Sequence, residues 1–153
     1  MGKWIVATIA AALFAGTAQA AGPRNVLFTK GYNLCRAAPL AAVRRAGGQP
    51  YRAGSFANGV CTWERPDLRA GLTVSTHPRA QGLVLMRQFI ARRARPIAVP
   101  GAAQAVMVDA VGRSAKDLFV AYGSIVVQVN MTAPRPVPDA RLLAVAKLVA
   151  GKL

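Results

Sequence analysis

The sequence predicts an α+β domain: an antiparallel sheet of about five strands with helices packed on it, in the order α-β-β-α-β-β-β-α. Three observations lead there. Short runs alternate apolar and polar residues and are joined by turn residues, most tightly at Gly123-Ser124, where two such runs are two residues apart. Runs with apolar residues three and four apart separate these groups and close the chain. The length, 153 residues, suits one domain with one core.

The first twenty residues stand outside that domain. MGKWIVATIAAALFAGTAQA has a positive start at Lys3, an apolar run over 4–15 and the small-residue site Ala18-Gln19-Ala20. This pattern predicts a signal peptide cut after Ala20, not a membrane span. No Cys sits at the cleavage point, so a lipid anchor there is not expected. No later run is long and apolar enough to predict a second span. Residues 21–33 read as a flexible segment carrying Arg24 and Lys30, and residues 34–153 as the single domain.

The elements follow in order. Pro39 suits the first turn of a short helix, with Ala38 as a poor N-cap, Leu40 and Val43 as its apolar contact and Gly47-Gly48 as its stop. Residues 59–65 read as a strand with Cys61 and Trp63 on one face. Leu72, Val74 and Thr76 alternate with Thr73, Ser75 and His77, a second strand expected to pair with the first as a hairpin. Residues 79–94 read as a helix whose apolar stripe is Gly82, Leu85, Met86, Phe89 and Ile90. Pro96 ends it, and Pro100-Gly101 marks a loop. Strands are expected over 103–111, 117–122 and 125–131, with Phe119, Tyr122 and Met131 as core residues. Pro134, Pro136 and Pro138 stiffen a linker. A last helix over 139–150 carries Leu142, Val145, Ala146 and Val149 as its buried stripe, with Asp139 and Lys147 suiting its dipole.

Two cysteines in an exported chain predict one disulfide, Cys35–Cys61, because export favours oxidation and no C-x-x-C redox pair is present. Closing a loop of about 26 residues stabilises by roughly 3–4 kcal/mol in the chain-entropy model. Trp63 is tempting as a ligand-stacking platform, yet its place two residues from Cys61 favours a core position against the bridge.

Catalysis is not expected. His77 is the one imidazole, and no G-x-S-x-G surrounds a serine. Five acids in all leave little to form a convergent carboxylate pair, and Asp67 reads as a turn residue. One His and two Cys do not make a zinc site, no Gly-rich phosphate loop is present, and no metal or cofactor is expected.

The charge is the unusual feature. Twenty Lys and Arg face five Asp and Glu. Without Lys3 the mature chain carries a net of +14. Arg outnumbers Lys 15 to 5, as GC-rich coding favours, but such coding does not explain the shortage of acids. A charge of this size sets up a broad positive potential. The candidate anion-binding residues are Arg44, Arg45, Arg87, Arg92, Arg93 and Arg95, densest at Arg44-Arg45 and Arg92-Arg93-Arg95. Outside the cell the available anions are envelope polymers, anionic lipid surfaces and acidic proteins. Nucleic acid is not the expected partner, because the chain is exported and no nucleic-acid motif stands out.

The arrangement of an export signal, Cys35, a short helix, Cys61-Thr62-Trp63, a central helix, the Val99-Pro100-Gly101 loop with Ala102-Ala103 before a strand, and a closing helix that ends in Lys152-Leu153 resembles a domain-of-unknown-function family of secreted proteins and lipoproteins from high-GC Gram-positive bacteria. The resemblance covers roughly residues 33–153. Family members commonly carry a lipid anchor, whose Cys this chain lacks, and a Ser or Thr cap and a Glu in the short helix, where this chain has Ala38 and residues 41–43. The resemblance implies no activity and carries over nothing beyond the Cys35–Cys61 bridge. The expected function is therefore a non-enzymatic, secreted or envelope-associated binding module with a basic surface. The alternatives are a carrier of a small apolar ligand or lipid, with its pocket under the central helix, and an accessory subunit of an envelope complex.

Overall fold

The structure, a computed structural model, describes residues 33–90, 94–109 and 114–151. The expected leader, the segment before residue 33, and Arg92 and Arg93 lie outside the described residues. The order is α1 (Leu34–Ala37), α2 (Leu40–Gly47), β1 (Ser55–Ala57), β2 (Val60–Glu64), β3 (Gly71–Pro78), α3 (Arg79–Ile90), β4 (Arg95–Pro96), β5 (Gln104–Asp109), β6 (Ala115–Tyr122), β7 (Ile125–Thr132) and α4 (Asp139–Ala150). The class is α+β, as expected. The strand count and the order are corrected: the described residues form one seven-stranded antiparallel sheet, β1-β2-β3-β7-β6-β5-β4.

The extra elements, α1, β1 and β4, are too short to show a period. α1 is a single turn, capped by the Asn33 side chain, which accepts the Arg36 N–H at 3.2 Å. β1 folds onto β2 across Asn58-Gly59, where both φ angles are positive, as a two-residue hairpin turn of this kind requires. β4 contains Pro96 and sits at the outer edge, where a missing N–H costs no internal ladder bond. Ala38, expected to cap α2, instead closes α1; α2 starts behind Pro39 without a side-chain cap and ends on Gly48 at φ 67°.

Period-2 alternation sorts the sheet into two faces. Cys61, Trp63, Leu72, Val74, Leu118, Val127, Val129 and Met131 point to one side, where Val43 of α2 and Leu142, Val145, Ala146 and Val149 of α4 cover them. Val106, Val108, Phe119, Ala121 and Val126 point to the other and lie under Met86 of α3. Strands at the centre are thus buried on both sides, which explains the near-continuous apolar runs in β6 and β7. Tyr122 and Met131 belong to the larger core, whereas Phe119 belongs to the smaller one, its ring 4.9 Å from that of Phe89.

The disulfide Cys35–Cys61 ties α1 to β2 with a Cα separation of 5.4 Å. Trp63, 1% exposed, lies next to it: a Cβ on Gly54 would come within 2.6 Å of Trp63 Nε1 and 2.9 Å of Cys35 Sγ. Among the described residues no helix is long and apolar enough to cross a membrane.

Candidate anion-binding surface

The few acids are mostly consumed inside the fold. Lys116 Nζ donates to Asp109 at 3.2 Å and to Asp139 at 2.5 Å, and Arg95 pairs with both carboxylates as well. This network joins β4, β5, β6 and the first turn of α4. The hydrogen bond from Lys116, with Arg95 beside it, holds the Asp139 carboxyl below the usual carboxylate range. Arg65 pairs with Asp67 at 2.6 Å. The Asp67 carboxyl is lowered chiefly by accepting the Arg69 backbone N–H. Asp117 pairs with no cation among the described residues; it accepts from the side-chain amides of Gln128, at 3.2 Å, and Asn130, at 3.1 Å.

That last contact sets the direction of a polar network on the half of the sheet beyond α3. Because Gln128 Nε2 donates to Asp117, its Oε1 faces Ser75 Oγ at 3.4 Å and His77 Nε2 at 3.2 Å as an acceptor. His77 Nε2 and Ser75 Oγ are themselves 3.1 Å apart. A serine–histidine pair would need Nε2 free to take the serine proton and a carboxylate on the opposite ring nitrogen. Gln128 Oε1 can only accept, so this contact favours the tautomer with the proton on Nε2. Among the described residues no carboxylate bonds to the imidazole. The cluster satisfies polar groups on an open sheet face. Ser75 and His77 share a face by alternation, so their meeting was readable; Gln128, 51 residues from His77, was not.

The candidate arginines separate. Arg44 and Arg45 sit in the last turn of α2, on the side of the sheet covered by α4. Arg44 Nε donates to the Tyr51 carbonyl at 2.7 Å, and Arg45 is exposed. Arg87 is exposed on α3, across the sheet from them. Arg95, another candidate anion-binding residue, pairs with Asp109 and Asp139. Sequence reasoning missed Arg135 and Arg141. Arg141 Nη1 donates to the Arg45 carbonyl at 3.0 Å across 96 residues, bringing the start of α4 against the end of α2.

Between these segments lies a cleft of about 190 Å³ lined by Gly47, Gly48 and Gln49 after α2, by Met131 and Ala133, by the linker Arg135–Pro138, and by Arg141. Among the described residues no carboxylate lines it. Arg65 Nη1 donates to Gln49 Oε1 at 3.1 Å, which turns the Gln49 amide N–H₂ away as a donor. Behind Gly47 lies Tyr51, 0% exposed; burial pushes its hydroxyl up to about 12 despite the nearby Arg141 and Arg65. The Tyr51 hydroxyl and Arg65 Nε are buried with no hydrogen-bond partner among the described residues. A second cleft, about 490 Å³ and largely apolar, lies along residues 97–100 and 102–105. Under α3, where the carrier alternative places its pocket, Gly82 packs on Val126, Met86 is buried and Phe89 lies against Phe119, so side chains occupy that contact.

No family model matches the chain, and no curated protein matches it. The chain is similar to a crystal structure from Bacteroides thetaiotaomicron VPI-5482, at 14% identity and a TM-score of 0.39, over 59% of this chain and 37% of that one. The matched part is thus little more than a third of the other protein's length.

Proposed function

We propose that the domain is a non-enzymatic binding module that folds outside the cytoplasm and uses the α2/α4 side to hold an anionic partner of the cell envelope. The observation that carries this reading is the uneven fate of the charges. Asp67, Asp109 and Asp139 are used on Arg65, Arg95 and Lys116. Arg44, Arg45, Arg135 and Arg141 gather at the junction of α2, the proline linker and α4, with no carboxylate partner among the described residues. Uncompensated arginines in one place raise the local potential and bind phosphate or carboxylate with directed N–H groups. The disulfide and the leader pattern support an oxidising compartment, and the resemblance to secreted proteins agrees with it.

Co-sedimentation with purified cell wall and with anionic vesicles, at low and high salt, tests the proposal. Retention that salt reverses, and that Arg45→Gln with Arg135→Gln weakens, is the expected result. No salt-sensitive retention on any anionic surface overturns it. The carrier alternative would rest on the apolar cleft along 97–105. A lipid retained in native mass spectrometry of protein from its own host would favour that reading.

A further inference from the structure

We infer that the cleft between the end of α2, the linker Arg135–Pro138 and Arg141 is a site for one phosphate group, a deepening that rests on the anion-binding reading above. Three features of the cleft point to this ligand.

The first is the donor set. Arg135 and Arg141 bring guanidinium groups to the lining, and none of the described lining side chains, Gln49 among them, is a carboxylate. Arg141 spends one N–H on the Arg45 carbonyl and keeps the rest of its guanidinium. That contact also covers a carbonyl at the negative end of α2, which would otherwise repel an anion.

The second is the origin of the donors. They come from two separate segments, the linker and α4. A planar carboxylate is satisfied by one guanidinium fork. A tetrahedral phosphate offers oxygens in several directions and suits donors converging from separate elements.

The third is size and stiffness. About 190 Å³ is below the usual range for a whole small-molecule ligand and suits one group of a larger molecule, or a free ion. Pro136 and Pro138 line the site with fixed φ, so little ordering remains to be done on binding.

The test follows backbone amide shifts by NMR in the purified, disulfide-intact protein at constant ionic strength. The probes are inorganic phosphate, glycerol 3-phosphate, dimethyl phosphate and acetate. Inorganic phosphate is expected to shift Gln49 and residues 133–141 saturably, with acetate much weaker. Glycerol 3-phosphate binding as well points to a terminal phosphate on a larger molecule, and dimethyl phosphate binding to a chain-internal diester. Arg135 is exposed, and Arg135→Gln should weaken phosphate by about tenfold, the loss of one charged donor. Arg87→Gln, the same charge change on the other face, should leave it intact. No saturable shift, equal binding of acetate, or equal loss in both variants overturns the inference. If the cleft fails but salt-sensitive retention on envelope anions persists, only this inference falls.

Discussion

Gly82 of α3 sits so close to Val126 of β7 that a Cβ on the glycine would lie 2.3 Å from the valine Cβ. Glycine lets the helix backbone approach the sheet, and Val126, 0% exposed, fills the space a side chain would need. Alanine at 82 would gain about 1 kcal/mol of helix propensity. Overpacking costs about 1–3 kcal/mol, and more where backbone must move. We expect Gly82→Ala to be destabilising by about 1–2 kcal/mol net. Val126→Ala in the same chain should recover part of that loss, so urea melts of the two single variants and the double should be non-additive. Additive losses would mean the contact is not the cause.

The Cys35–Cys61 bridge anchors a one-turn helix that could not hold itself. Cys61 is 0% exposed and packs in the larger core. Cys61→Ser removes the cross-link and buries a hydroxyl, so unfolding free energy should drop by roughly 2–5 kcal/mol. Unreduced wild-type protein, unfolded in urea, should take up no thiol label.

How much of this was legible follows from element length and contact range. The strands at the centre and the two long helices announce themselves by period, and Cys61 and Trp63 face the core as alternation required. β1 was missed although Asn58-Gly59 is a strong hairpin signal, because Ser55–Ala57 is only three residues long and shows no apolar alternation. β4 was missed because two residues with a proline carry no pattern. Among the arginines, neighbours in sequence were visible as clusters. Arg135 and Arg141 are isolated in the chain and meet the end of α2 only after the β7–α4 connection folds back. The pairing of Arg95 was hidden for the same reason: Asp139 lies 44 residues away.

Asp139 links stability to acid. Its carboxyl is lowered in the fold by the Lys116 hydrogen bond and by Arg95, so its contribution is present above the unfolded value, about 4. It is lost as pH falls through the lower folded value. Asp67 is shifted the same way and adds to the slope. Asp139→Asn should therefore flatten the acid limb of stability below about pH 4 without abolishing it. At neutral pH the cost should be about 1 kcal/mol, since Asp139 and Arg95 are 38% and 43% exposed and Lys116 keeps Asp109. Melting temperatures from pH 2 to 7 would check both parts.

Tyr51 acts at the other end of the scale. Its hydroxyl, buried and unpartnered, is pushed up to about 12. An unfolded tyrosine ionises near 10. The neutral form is thus favoured in the fold, and the stability it represents is intact below about pH 10 and falls as pH rises toward 12. Tyr122, also raised by burial, contributes a loss in the same direction. Tyr51→Phe removes a buried hydroxyl that has no bond to lose, while the ring still packs behind Gly47. Its stability at pH 7 should equal or exceed that of the wild type, by up to about 1 kcal/mol. Its decline above pH 10 should be shallower, with Tyr122 still contributing to that part. Chemical denaturation at pH 7 and pH 10.5 separates the two effects. A marked loss at pH 7 would show that the Tyr51 hydroxyl does have a partner in solution.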